Sequence, residues 1–127
     1  GEPGLGGGAP GDLMLEVRLA PHRLFRTEGR DVRLDLPVTP WEAALGCKLT
    51  VPTLEGGINL TVPANSQNGK RMRIKGRGLG KGDNRGDLYV VLRISMPPAA
   101  GDKEQALWRQ LAEVSSYDPR ENWGKSV

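Results

Sequence analysis

The sequence predicts a mainly β protein: a small antiparallel β-sandwich or half-barrel domain with one short helix, followed by a C-terminal helix. Three observations lead there. Apolar residues recur with period 2 in short runs, as where Val32, Leu34 and Leu36 alternate with Arg33 and Asp35. The 127 residues include 18 Gly and 10 Pro but only 5% aromatic side chains, a mix suited to short strands and tight turns rather than a helical bundle. One phrase also occurs twice. Gly4-Leu5-Gly6 precedes Gly11-Asp12-Leu13 and an apolar run to Leu19, and Gly78-Leu79-Gly80 precedes Gly86-Asp87-Leu88 and a run to Ile94. Matching turn chemistry before matching runs marks a structural repeat. Only the second copy has further strands in front of it, so the first is expected to be the last strand of a preceding, truncated β domain.

Residues 1–10 are mostly Gly and Pro and read as loop, and residues 12–20 as a strand closed by Pro21. From Pro21 to Arg26 there is no clear period, and Glu28-Gly29-Arg30-Asp31 looks like a turn before the Val32–Leu36 strand. Thr39 to Gly46 is a compact helix signal: Thr39 can cap, Pro40 suits the first helical position, Glu42 completes a capping box and Gly46 offers a left-handed stop. Trp41 and Leu45, one turn apart, are the expected anchors of that helix. Leu49 with Val51, then Ile58, Leu60 and Val62, predict a hairpin turning at Gly56-Gly57. Met72 and Ile74 alternate with basic residues, and Leu88 to Met96 is the repeated strand. Beyond Pro97-Pro98, Asp102 can cap a helix to about Val114, on which Leu107, Leu111 and Val114 fall at i, i+4, i+7 with Trp108 beside them.

No catalytic constellation is present. There is no Gly-x-Ser-x-Gly elbow and no paired-histidine metal motif; with one cysteine (Cys47) and one histidine (His22), neither an internal disulfide nor a Cys-based metal site is expected. His22 reads as a packed corner residue and Cys47 as a small half-buried hydrophobe. No cofactor is implied, and no apolar run approaches the ~18 residues of a membrane span. The glycines of 76–86 resemble a phosphate loop superficially, but they sit between strands and lack the Walker spacing, so a connecting loop is expected.

The net charge of +3 permits a polyanion partner without demanding one. Arg71, Arg73 and Lys75, with Arg77 beyond, form the candidate nucleic-acid-binding ridge. A solvated face guarding a sheet edge is the favoured reading, with backbone-level DNA binding as the alternative. Leu107, Trp108 and Leu111 are candidate dimerisation residues, because a two-fold pairing of such helices would hide the apolar stripe. Trp123 is expected to fold back in support.

Pro37 to Gly46, Val51-Pro52-Thr53-Leu54, Arg73 to Leu79 and Gly86 to Val90 together resemble the C-terminal half of DnaJ-type co-chaperones. The tail, from Ala106 through Asp118-Pro119-Arg120 to Trp123-Gly124-Lys125, is similar to the bacterial curved-DNA-binding branch of that family. The resemblance implies two consecutive β-sandwich-like domains: residues 1–25 as the last strand and linker of the first, 26–98 as the second, and 99–127 as the dimerisation helix and tail. It implies a homodimer that binds unfolded client polypeptides, weakly in this chain because the family's client groove lies mostly in the first domain. It also implies a DnaK-type chaperone partner reached through a J-domain. No His-Pro-Asp motif occurs here, His22 being followed by Arg23. DNA is the alternative partner, no membrane partner is implied, and the expected location is cytoplasmic, nucleoid-associated under the alternative.

Overall fold

The computed structural model describes residues 24–99 and 101–125. The first copy of the repeat and His22 lie outside them. The described residues divide between Met96 and Pro97 into two compact units.

The first unit holds two sheets and a short helix. Strands β1 (Phe25–Glu28), β2 (Asp31–Val38), β5 (Arg71–Ile74) and β6 (Leu88–Ile94) form a four-stranded sheet in the order β1-β2-β6-β5. Strands β3 (Cys47–Thr53) and β4 (Gly56–Val62) form a separate antiparallel pair. Inward residues of both sheets meet in two buried clusters: Phe25, Val32, Leu34, Val51, Leu88 and Val90 in one, and Val38, Ala43, Val62 and Leu92 in the other. The mainly β, sandwich-like prediction holds, with one difference of direction: β2 and β6 pair in parallel, Val32 opposite Leu88 through Val38 opposite Ile94. Parallel neighbours need a long crossover, and here the chain between them contributes the helix α1 (Pro40–Leu45), the β3–β4 hairpin and β5.

A strand absent from the sequence reading is β1. Phe25 pairs opposite Leu34 and is buried, and Gly29 at φ 65° closes the hairpin to β2. The helix α1 (Pro40–Leu45) keeps its capping box: Glu42 N donates to Thr39 Oγ1 at 3.1 Å and Thr39 N donates to Glu42 Oε1 at 2.8 Å. Its buried residue is Ala43, while Trp41 and Leu45, the expected anchors, are 46% and 77% exposed. The reason is steric. A Cβ on Gly46 would come within 2.9 Å of Val62 O and Ala64 N, so the helix lies close to the β4 exit and a small residue must face inward. Gly46 has φ 81° but ψ 157°, a positive-φ conformation essentially confined to glycine yet outside the left-handed helical stop expected.

The hairpin also turns two residues earlier than expected, at Leu54 and Glu55. Thr53 drives this: its hydroxyl donates to Gly56 O at 2.6 Å and accepts from Glu55 N at 3.1 Å.

The second unit contains α2 (Asp102–Val114). Its N-cap is Gly101, not Asp102, which sits in the first turn with Glu104, where carboxylates favour the helix dipole. No helix among the described residues is long and apolar enough to cross a membrane.

Candidate functional site

Alternation along the four-stranded sheet sends Val32, Leu34, Leu88, Val90 and Leu92 inward. Their neighbours stand on the opposite, outer face, and the register sorts them into rows. Arg26 lies opposite Arg33, Arg33 opposite Tyr89 and Tyr89 opposite Arg73, one row across all four strands. In the next row Asp35 faces Val91 and Val91 faces Arg71; beyond it Pro37 faces Arg93. Asp35 Oδ1 accepts from Arg33 Nε and Nη2 at 3.2 Å each and lies 3.4 Å from Arg93 Nε. The Arg71 guanidinium sits over the Tyr89 ring, 4.4 Å from its centroid. Val91 faces outward yet is only 5% exposed. It lines a shallow depression of about 250 Å³ with Arg33, Arg71, Arg93, Glu28 and Gly69, whose arginine stems can cover apolar surface while their heads stay wet.

The glycine-rich loop closes one end of this face. Several of its amides already bond within the protein: Gly76 N donates to Asp87 Oδ1 at 2.8 Å, Gly78 N to Gly86 O at 2.9 Å, Leu79 N to Arg30 O at 2.7 Å, and Gly86 N to Leu79 O at 2.8 Å. A phosphate cradle needs such amides pointing at the ligand, so the connecting-loop reading fits its geometry. Asp87 N in turn donates to Asp31 Oδ1 at 2.8 Å, and Arg73 Nε donates to Asp87 Oδ2 at 2.7 Å.

The sequence-nominated ridge is therefore divided. Arg71 and Arg73 stand on the outer face, and Lys75 follows β5 where the loop begins. Arg77 leaves the face to pair with Glu55 at 3.6 Å, beside the closer Arg85–Glu55 pair at 2.8 Å. Arg33 and Arg93, which join Arg71, escaped the sequence reading because only the pairing of β2 with β6 brings them together.

The Gly76 amide holds the Asp87 carboxyl below its ordinary 3.8, helped by Arg73 and Lys75 and opposed by partial desolvation. A carboxylate whose folded pKa is depressed stabilises the fold above its unfolded pKa, and that contribution is lost as pH falls through the folded value. Comparing urea midpoints, Asp87→Asn should fall below the unsubstituted protein by a constant margin from neutral pH down to about pH 5. The margin should then shrink below about pH 4. A margin independent of pH would assign the loss to packing alone.

In the second unit, Leu107 and Leu111 are 65% and 53% exposed and Val114 is exposed as well, while Trp108 is half-buried. After Ser115 the chain makes successive turns, with Glu121 N donating to Asp118 O and Trp123 N to Arg120 O. Trp123 stays exposed rather than covering the helix.

Comparison with known proteins matches the DnaJ C terminal domain family over residues 1–97. A curved DNA-binding protein of Serratia proteamaculans (strain 568) is 55% identical over 126 residues, 98% of this chain and 41% of that protein. One from Escherichia fergusonii is 54% identical over 127 residues, 99% of this chain and 42% of that protein. The chain thus spans about two fifths of the length of these curated relatives. A match across most of the chain, on two facing sheets tied by the glycine loop, identifies its family: the chain belongs to the DnaJ C-terminal domain family.

Proposed function

We propose that this chain supplies the second β domain and the dimerisation segment of a dimeric DnaJ-like co-chaperone that binds unfolded polypeptides. In this reading residues 1–25 close a first β domain, 26–98 form the second and 99–127 join two copies. The observation that carries it is the apolar stripe of α2, where Leu107, Leu111 and Val114 recur at helical spacing and are all exposed. Such a stripe can be self-complementary about a two-fold axis, with Trp108 beside it on the helix and the exposed Trp123 as further aromatic surface. Two joined copies would present two client sites to one unfolded chain, a gain in avidity without new contacts. In the whole protein a J-domain would recruit a DnaK-type chaperone. Neither the family nor the relatives carry the name of an enzyme, and the proposed role needs no cofactor.

Sedimentation tests the seam. The unsubstituted chain should run as a dimer, and Leu107→Asp with Leu111→Asp as a folded monomer with its far-ultraviolet dichroism retained. A dimer that persists in the double variant, or a monomeric parent, overturns the assignment.

A second reading, DNA binding, is favoured by a separate observation: the arginines of the outer sheet face, in a chain whose relatives are named curved DNA-binding proteins. Counterion release then requires affinity to fall steeply with salt. A gel shift at low salt that disappears at high salt supports this reading, and no shift at low salt removes it. Cytoplasmic location follows from the first reading, nucleoid association from the second.

A further inference from the structure

We propose that the outer face of the four-stranded sheet, centred on Arg33, Arg71 and Arg93, is a binding site for the phosphate backbone of duplex DNA. The proposal rests on the DNA-binding reading above and deepens it by naming the surface. Three strands deliver the three side chains: Arg33 from β2, Arg71 from β5 and Arg93 from β6. They surround the depression over Val91, and two of the guanidiniums lean on the same oxygen, Asp35 Oδ1. One carboxylate oxygen shared by two guanidiniums leaves donors of both able to turn toward a ligand. The planar fork of arginine matches phosphate oxygens two at a time, which the point charge of lysine does not.

Charge is unevenly placed on this face. Asp31 and Glu28 are paired at the end nearest the loop, and Asp87 just precedes β6 there, its amide donating to Asp31 Oδ1. Asp31 and Asp87 direct oxygens to backbone amides there, and Asp87 also holds Arg73. The three rows beyond that end carry Arg26, Arg33, Arg71, Arg73 and Arg93 against the carboxylate of Asp35, with Glu28 also lining the depression and Arg73 held by Asp87. These cations spread in two directions, across the strands and along β5 and β6. Crossing from β1 to β5 spans about 14 Å at the usual strand spacing. An extended acidic peptide would set its charges along one line and meet only part of this array. An apolar segment would find Val91 already covered. The two phosphate rows of a duplex match a two-dimensional set of cations, and contact with phosphates alone gives binding without base readout.

Fluorescence anisotropy of a labelled 30-base-pair duplex against the full chain, across a salt series, tests the assignment. Arg71→Gln with Arg93→Gln leaves Arg33 in place to partner Asp35. This variant should bind about tenfold more weakly and flatten the log–log salt slope by about 1.8, the loss of two phosphate contacts. Asp35→Asn should bind several-fold more tightly, an outcome that a purely structural role for Asp35 would not give. Lys48→Gln with Lys81→Gln removes the same net charge from exposed positions elsewhere and should stay within about twofold of the parent. Equal losses in the two double variants would reduce the effect to net charge and overturn the site. A parent that binds while the arginine variant binds equally well also overturns it, yet leaves the DNA reading standing; a parent that does not bind at low salt ends both. Displacement of the duplex by polyglutamate as readily as by unlabelled DNA, at matched charge, overturns the phosphate assignment. If the arginine variant melts well below the parent, Asp35→Asn decides alone: tighter binding supports the site and unchanged binding overturns it.

Discussion

Gly86→Ala should destabilise the first unit by about 3 kcal/mol or more, and Gly78→Ala by a similar amount. The clash comes from space rather than from a left-handed backbone. A Cβ built on Gly86 falls 2.1 Å from Arg30 O and 2.4 Å from Arg30 C; one on Gly78 falls 2.4 Å from the same oxygen and 2.6 Å from Gly86 C. These are backbone atoms, and moving them breaks a connected set of bonds. Arg30 O accepts from Leu79 N at 2.7 Å, Leu79 O from Gly86 N at 2.8 Å, and Gly86 O from Gly78 N at 2.9 Å. Displacing Arg30 also disturbs the entry of β2, where Val32 N donates to Asp87 O at 2.8 Å and opens the parallel register with β6. Gly82→Ala is the comparison within the same loop. Its Cβ would meet nothing within 4 Å, and only its φ of +57° is unfavourable, so the cost should be about 1 kcal/mol. Urea midpoints measured side by side check both figures. If Gly86→Ala and Gly82→Ala lose the same stability, close packing of the loop against Arg30 is not what requires glycine.

The contrast between those two glycines also marks where the sequence was readable. Local chemistry was: Thr39, Pro40 and Glu42 announced α1, and the alternation at Val32, Leu34 and Leu36 announced β2, because caps and period-2 patterns act over a few residues. Long-range pairing was not. Nothing near Arg33 in sequence says that Tyr89 will lie beside it, and parallel pairing of β2 with β6 is fixed by a core assembled from both sheets. For the same reason the basic run was visible while the arginine face was not: Arg71 and Arg73 are neighbours in the chain, whereas Arg33 and Arg93 join them only through register. The anchor of α1 was misjudged on size. Trp41 and Leu45 are the larger apolar groups, yet the helix lies so close to β4 that only Ala43 fits inward. Asp87 shows a further limit, since a repeated Gly-Asp-Leu marks a structural element without revealing that its carboxylate secures the Gly76 amide.

Leu92→Ala should cost about 3 kcal/mol and lower the melting temperature by on the order of 15 °C. Leu92 is fully buried and packs with Val38, Ala43 and Val62. Those four residues come from β6, the end of β2, α1 and β4, so the cluster around Leu92 joins the helix and both sheets. Its backbone is tied as well: Leu92 N donates to Lys70 O at 2.9 Å and Leu92 O accepts from Gly69 N at 2.8 Å. Those bonds fix the position of the residue, so the chain cannot slide to fill the space left by the removed methyl groups. A cavity that cannot collapse places the cost well above the loss of hydrophobic transfer alone. The change should also loosen α1, which has six residues and relies on packing rather than on propensity. Hydrogen exchange should therefore show the amides of Ala43 and Gly46, bonded to Thr39 O and Glu42 O, losing protection beyond the global decrease. Leu45→Ala, on the exposed side of the same helix, should change stability by less than about 0.5 kcal/mol. Equal losses from Leu92→Ala and Leu45→Ala would mean that the junction of helix and sheets does not hold this unit together.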